Sequence, residues 1–283
     1  MKKNLLIAAV FTMALSVNAE KVGMTASVEP APQPTWTEWT DQQVNAVNRF
    51  KLHTQFFSYE NETLAMKGDM SKSDNFMSLH GTWKFLWVRH ADQRPTDFYK
   101  TDLDDSAWKT MPVPGIWELN GYGDPVYVNT GLAWRYQMDW KNPLNVPTKD
   151  NHVGSYRRTI DIPTGWDGKQ VIAHFGSVTS NMYLYVNGQY VGYTEDSKVA
   201  AEFDITKYVK PGKNLIAFQV FRWCDGSLNE DQDFWRLSGV SRDSYLYTRD
   251  PQVQVSNIRI TPDLGNDDKD GELMINVDVK GDP

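Results

Sequence analysis

The chain has 283 residues, enough for one large β domain or two smaller ones, and with 40% hydrophobic residues it can bury a sizeable core. Its formal net charge is −7 and it contains no block of lysines and arginines, which argues against a nucleic-acid-binding protein. Cys224 is the single cysteine, which excludes an internal disulfide framework and a cysteine-based metal knuckle.

Residues 1–19 have the pattern of a secretory signal peptide. Lys2 and Lys3 precede the apolar run LLIAAVFTMALS, which is too short to span a bilayer, and Val17 and Ala19 have the spacing of a cleavage site. We therefore predict cleavage after Ala19 and a periplasmic or secreted protein that has no membrane partner. A short buried helix is the alternative for this segment.

Residues 20–75 are predicted to form a proline-containing tether and an N-terminal arm. The segment EPAPQPTW has three alternating prolines, which is typical of an extended polyproline-type chain. The polar residues that follow have no strong period, and we expect at most one short helix there.

Residues 76–250 have the patterns of an all-β domain. The segments TWKFLWV, SYRRTIDI, VIAHFGS and DSYLYT are strand candidates, and MYLYVNGQYVGY has two alternating runs on either side of Asn187-Gly188, a strong hairpin signal. The segment NLIAFQVFRW is almost continuously apolar, which predicts a strand buried on both faces. Together these elements predict a β-sandwich of the jelly-roll type.

Residues 251–283 are predicted to begin a second unit. PQVQVSNIRI and ELMINVDVK are two strand candidates, and one strand would have an apolar face formed by Leu273, Ile275, Val277 and Val279. Two strands cannot bury such a face. We therefore expect the first strands of a further sandwich, with the sequence ending inside it.

The segment between these two strands resembles the start of a calcium-binding loop. Its matching positions are Asn266, Asp268, Asp270 and Gly271. However, Val277 occupies the position at which such a loop needs a bidentate glutamate. We therefore prefer a polar hairpin turn.

The segment CDGSLNEDQDFWRLSG, residues 224–239, is the most chemically distinctive part of the sequence. It has four carboxylates within nine residues, close to Trp223, Phe234 and Trp235; they are Asp225, Glu230, Asp231 and Asp233. Glu230 and Asp231 could reach the separation of a glycosidase pair, but nothing around them marks an acid and a nucleophile. Asp225-Gly226 has the pattern of a simple turn. Asp231 and Asp233 would point the same way on an extended chain, which suits a small oxygen-lined site for a cation or hydroxyl groups.

Several segments together resemble a known family. WTDQQVNAVNRFKLH, SLHGTWKFLW, VPGIWELNGYGDPVYVN, VNGQYVGYTEDSK and FRWCDGSLNEDQDFWRLSG occur in this order. Over residues 36–280 the chain is similar to the N-terminal region of the bacterial β-galactosidases of glycoside hydrolase family 2. EDQDFWRLSG is the most specific motif, whereas Ser241 and Ser244 stand where the family usually has apolar residues.

This resemblance implies a galactose-binding-like jelly roll followed by the start of an immunoglobulin-like β-sandwich. The family's catalytic glutamates lie in a later barrel, so no catalytic residue is expected here and this chain alone should be inactive. Asn129 and Asp233 match sugar-binding positions, and Asp233 also matches a ligand of a Na⁺ ion shared with barrel residues. The family's Mg²⁺ ion lies beside the catalytic acid, so no ligand for it is expected in this sequence. Trp235 and Arg236 also match the motif, and we interpret them as support for the loop.

Three functions remain open at this point. The first is the sugar-binding part of a secreted β-galactosidase, whose partners are a β-galactoside and the other domains of the same enzyme, with a homo-oligomer open for the full-length protein. The second is a stand-alone secreted carbohydrate-binding module without catalysis, and the third is a structural or interaction sandwich. The reading frame after Pro283 separates the first two, and glycan binding separates the second from the third.

Overall fold

The computed structural model describes residues 33–129, 134, 141–142 and 145–281. The predicted signal peptide and most of the proline-rich tether lie outside these residues. The described residues contain eighteen strands: β1 (Ala46–Val47), β2 (Phe76–Ser78), β3 (Gly81–Val88), β4 (Lys109–Val113), β5 (Gly115–Ile116), β6 (Val126–Val128), β7 (Val153–Ile162), β8 (Gln170–Phe175), β9 (Val178–Thr179), β10 (Met182–Val186), β11 (Gln189–Thr194), β12 (Ala201–Asp204), β13 (Gly212–Phe221), β14 (Phe234–Arg236), β15 (Gly239–Val240), β16 (Ser244–Arg249), β17 (Val253–Gly265) and β18 (Asp270–Gly281).

Helical structure in the described residues is short. The α-helix α1 spans Glu62–Lys67, and its N-cap Asn61 accepts a hydrogen bond from the Leu64 N–H, which satisfies one of the free donors at the helix start. Single 3₁₀ turns cover Glu38–Thr40, Met70–Lys72, Ala91–Gln93, Glu118–Asn120, Thr164–Trp166, Thr206–Tyr208 and Asp225–Leu228. Within the part of the chain that the structure describes, no helix has the length and apolar character needed to span a membrane.

The main unit is a sandwich of two antiparallel sheets, as predicted. One sheet has the order β1-β11-β10-β13-β7-β3-β4, and the other has the order β12-β8-β16-β2. The core between them contains buried side chains of both sheets, such as Trp83 and Phe218 from the first and Phe175 from the second. The ring of Phe218 lies 5.1 Å from that of Trp83 and 5.5 Å from that of Phe175, so it occupies the middle of this core.

The strongest strand predictions are confirmed. β13 is buried on both faces because Phe218 faces the inter-sheet core while Phe221 packs in a second cluster on the opposite face. β10 and β11 pair antiparallel around Asn187 and Gly188, which both have positive φ, 50° and 79°. Two positive φ values in succession are what a tight hairpin turn of this kind requires, and asparagine followed by glycine supplies them at low cost.

The N-terminal arm packs on the outer faces of both sheets. Trp39 stacks on Phe221 of the seven-stranded sheet, with ring centroids 4.9 Å apart, and β1 extends that sheet by pairing with β11. Phe50 and Phe57 pack against Tyr247 and its neighbours on the four-stranded sheet. The described part of the arm therefore belongs to the sandwich and covers apolar surface that would otherwise face water.

β17 and β18 form a long antiparallel hairpin that groups with residues 53–56 as a separate compact unit. Its turn has positive φ at Asn266, Asp267 and Asp268, and the Lys269 N–H closes it on the Gly265 carbonyl. The described residues contain no group of three or more His, Cys, Asp or Glu side chains arranged to hold a metal ion. The predicted polar hairpin turn is confirmed, and the further sandwich remains a prediction.

Candidate functional site

Asn129 and Asp233 lie at the same end of a short two-stranded ribbon. β6 and β14 pair antiparallel, with Val128 opposite Phe234 and Tyr127 opposite Trp235. Asn129 follows Val128 and Asp233 precedes Phe234, so each residue comes directly after the last pair at that end of the ribbon. Both residues are exposed. The fold therefore brings together the two residues for which the sequence predicts sugar binding.

Tyr127 and Trp235 form an aromatic pair beside them. Tyr127 and Trp235 are paired across the two strands, so their side chains are on the same face of the ribbon. The Tyr127 side chain also reaches Asp233. The two rings meet edge to face with centroids 5.6 Å apart, and each side chain is 52% exposed. We call these four residues, Tyr127, Asn129, Asp233 and Trp235, the ribbon face.

The Tyr127 hydroxyl donates a hydrogen bond to Oδ1 of Asp233. This bond, with smaller contributions from burial and from the carboxylate charge, raises the pKa of Tyr127 above its usual value. The phenol is therefore a neutral donor at neutral pH. Sequence reasoning missed this residue, although it is the tyrosine of the VYVN segment that also contains Asn129.

Beneath the ribbon face, the other carboxylates of the segment hold the loop in place. Asp231 forms an ion pair with Arg236, and both side chains are more than nine-tenths buried. The Arg236 guanidinium also lies 4.7 Å from the centroid of the Phe234 ring. Glu230 accepts a hydrogen bond of 2.6 Å from the Ser197 backbone N–H. Both carboxylates, Glu230 and Asp231, therefore bind groups of the protein itself and help to hold the loop. The ion pair confirms the interpretation of Arg236 as support for the loop.

The expectation that Asp231 and Asp233 point the same way is wrong. The chain bends at Asp233, which interrupts the alternation of an extended strand. Asp231 consequently turns inward to the buried Arg236, while Asp233 stays exposed beside Tyr127. The two carboxylates therefore have different roles, and only Asp233 is available to a ligand.

A small cavity lies under the loop. Its walls include Ser197, Lys198, Arg222, Asp231 and Arg236, and its volume is about 30 Å³. Burial lowers the pKa of both arginines. A cavity of this size has room for about two water molecules. It is too small for a sugar ring.

Asp225 and Gly226 begin a turn, as the sequence suggests. The turn is a 3₁₀ turn in which Asp225 is buried next to the carboxyl group of Glu195. Glu195 also accepts a hydrogen bond of 2.6 Å from the Tyr193 hydroxyl. Desolvation, to which the Asp225 charge adds, raises the pKa of Glu195 to about 8. A Cβ on Gly226 would lie 2.5 Å from Oε2 of Glu195, so a larger residue there would have to displace this carboxyl group.

Glu195→Gln should flatten the pH dependence of stability. The folded-state pKa of about 8 exceeds the usual glutamate pKa of 4.5, so the protonated carboxyl group stabilises the folded state. This contribution is complete below pH 4.5 and is lost as the pH rises through 8. Glutamine stays neutral at every pH. At pH 8 to 9 the free energy of unfolding of the variant should therefore exceed that of the wild type, on the order of a few kcal/mol. Urea unfolding between pH 5 and 9 measures this difference. The exposed Glu62→Gln is the control, and parallel pH curves for wild type and Glu195→Gln would contradict the assignment.

Comparisons with known proteins point to one family. The model of the sugar binding domain of glycosyl hydrolases family 2 matches residues 76–250. β-Galactosidases from Priestia megaterium and Halalkalibacterium halodurans are 39% and 38% identical to this chain, over 88% and 85% of it and 24% and 23% of their own sequences. This chain therefore spans about a quarter of the length of these curated relatives.

Solved structures agree on the fold. The crystal structure of a β-glycosidase from Bacteroides vulgatus matches with a TM-score of 0.52 and 23% identity, over 74% of this chain and 24% of the other. A β-glucuronidase from an uncultured Clostridium species matches with a TM-score of 0.53 and 18% identity, over 80% of this chain and 35% of the other. At these identities the likeness concerns the all-β sandwich alone.

Proposed function

This chain belongs to glycoside hydrolase family 2, and we propose that it is the sugar-binding N-terminal region of a secreted β-galactosidase that hydrolyses terminal β-D-galactosides with retention of configuration. The observation that carries the proposal is the ribbon face, where Asn129 and Asp233 lie at the same end of the ribbon as two exposed aromatic rings. The β-galactosidases among its relatives support the choice of substrate.

The chemistry of the ribbon face suits a sugar. The Asn129 amide offers two donors and an acceptor, while the Asp233 carboxylate offers acceptors only. Together they can distinguish hydroxyl positions, because a sugar without the matching hydroxyl would leave a polar group unpaired. The half-exposed rings of Tyr127 and Trp235 can pack against the apolar C–H face of the same sugar.

The proposal includes a Na⁺ ion at Asp233. A hard cation prefers oxygen ligands, and Asp233 is exposed with one oxygen, Oδ1, engaged by a neutral hydroxyl. This carboxylate therefore fits the ion as one ligand, while the other ligands would come from the sugar and from parts of the enzyme beyond this chain. When bound, the ion would supply positive charge next to a sugar hydroxyl.

The chemical step is proposed to lie outside the chain. Retaining hydrolysis needs two carboxyl groups about 5–5.5 Å apart on either side of the glycosidic bond. Glu230 and Asp231 are occupied by Ser197 and Arg236, so they do not supply that pair. The acid and the nucleophile, together with the Mg²⁺ that the resemblance implies, are assigned to the barrel.

The product of the complete gene should therefore hydrolyse a chromogenic β-D-galactoside, and the rate should increase with sodium. Comparison with the corresponding β-D-glucuronide tests the substrate class, because β-glucuronidases share this fold. Preference for the glucuronide would overturn the proposal.

Asn129→Ala should reduce kcat/KM for the galactoside modestly. It removes a hydrogen bond between neutral groups, which contributes about 0.5–1.5 kcal/mol and corresponds to roughly 2- to 12-fold. The sodium dependence of the rate should be kept, because the proposed cation ligand is Asp233. Steady-state kinetics at several sodium concentrations measure both quantities, and an unchanged kcat/KM would remove Asn129 from the site.

The proposal also includes export of the protein from the cytoplasm. The pattern of residues 1–19 favours cleavage after Ala19, so that the mature protein would start at Glu20 in the periplasm or outside the cell. N-terminal sequencing of the protein from the periplasmic fraction tests this. A cytoplasmic product that retains Met1 would contradict it.

A further inference from the structure

Tyr127 is held at two points of the ribbon face. Tyr127 is paired with Trp235 across the two strands, and its ring lies edge to face against the Trp235 ring. Its hydroxyl donates a hydrogen bond to Asp233. Asp233 lies on an exposed bend, where a carboxylate would otherwise rotate freely. The phenol therefore fixes the orientation of a side chain that the local backbone leaves unconstrained.

The type of donor matters for what Asp233 can still do. A carboxylate has about four acceptor positions, and one hydrogen bond from Tyr127 leaves about three. A phenol is neutral, so Asp233 keeps its full negative charge. Asp231 is different, because the cation of Arg236 neutralises its charge in the buried pair. One segment thus contains one carboxylate fixed by a cation and one fixed by a neutral hydroxyl.

We propose that Tyr127 is a positioning residue for sugar recognition: its hydroxyl holds the Asp233 carboxylate in the orientation that accepts a galactose hydroxyl. This inference rests on the proposed function, because it requires Asp233 to bind the sugar. A side chain that is ordered before the ligand arrives loses less freedom on binding, and the affinity rises accordingly.

The aromatic contact adds a second constraint, because Trp235 limits rotation of the Tyr127 ring. Tyr127→Phe removes the hydroxyl and keeps the ring contact, so it isolates the hydrogen bond.

The test is a double-mutant cycle on the product of the complete gene. The Kd for D-galactose is measured by calorimetry for the wild type, Tyr127→Phe, Asp233→Ala and the double variant. Tyr127→Phe should weaken binding roughly 2- to 12-fold, and it should have no further effect when Asp233 is already alanine, which has no oxygen to accept the hydrogen bond. Tyr99→Phe, which also removes one oxygen from a half-buried ring, is the matched control and should bind like the wild type.

Each other outcome is decisive. Equal losses from Tyr127→Phe in both backgrounds would show that the hydroxyl acts independently of Asp233, and would overturn the positioning role. An unchanged Kd for Tyr127→Phe together with weaker binding by Asp233→Ala would also overturn it, while leaving the proposed function intact. Unchanged binding in both single variants would instead reject sugar binding by Asp233, and this inference with it.

Discussion

In the product of the complete gene, Asp233→Ala should lower kcat/KM for a β-galactoside roughly 10- to 150-fold. The exposed carboxylate is proposed to accept a hydrogen bond from a sugar hydroxyl and to bind Na⁺. A hydrogen bond to a charged group contributes about 1.5–3 kcal/mol, which gives this factor at about 1.4 kcal/mol per tenfold change. The sodium dependence of the rate should weaken in the same variant. Steady-state kinetics over a range of sodium concentrations measure both effects.

Gln232→Ala is the control for this experiment. Gln232 is the exposed neighbour of Asp233 on the same segment. Its backbone carbonyl accepts a hydrogen bond from the Phe234 N–H, and alanine keeps this contact. Its kcat/KM should stay close to that of the wild type. A similar loss in Gln232→Ala, or full sodium dependence in Asp233→Ala, would show that the segment acts only through its structure.

The sandwich could be predicted because its strands have local signals. β13 is apolar at consecutive positions because it packs on both faces, and the turn between β10 and β11 needs two positive φ values that Asn187 and Gly188 provide. In each case the residues that determine the element lie within it. The arm was harder to predict, because Trp39 and Phe50 are ordered by contacts with distant strands rather than by a local period.

For the site, the sequence identified individual residues but not their arrangement in space. Asn129 and Asp233 were identified through the family motifs, but their adjacency depends on the pairing of β6 with β14, which are far apart in sequence. Tyr127 was missed because its role arises from that pairing. Buried partners were missed for the same reason: neither the position of Asp231 nor that of Asp225 in the sequence reveals Arg236 or Glu195 beside it.

Asp231→Ala should destabilise the protein strongly, although the residue is only two positions from Asp233. Asp231 and Arg236 are both more than nine-tenths buried, so that removing the carboxylate leaves a guanidinium without its counter-charge. Breaking a buried ion pair in this way costs about 3–5 kcal/mol. For a domain of this size each kcal/mol lowers Tm by about 2–4 °C. Thermal unfolding followed by circular dichroism should therefore show a decrease of roughly 6–20 °C.

The double variant Asp231→Leu/Arg236→Met separates the ion pair from other causes of instability. Replacing both charges with apolar side chains removes the unpaired cation, and such replacements are often neutral or stabilising. The double variant should therefore recover most of the Tm that Asp231→Ala loses, whereas Arg236→Met alone should not. If Asp231→Ala has the same Tm as the wild type, the buried ion pair contributes little to stability. The loop must then be held mainly by the hydrogen bond between Glu230 and the Ser197 N–H. In that case Asp233 would owe its exposed position to the β6–β14 pairing alone.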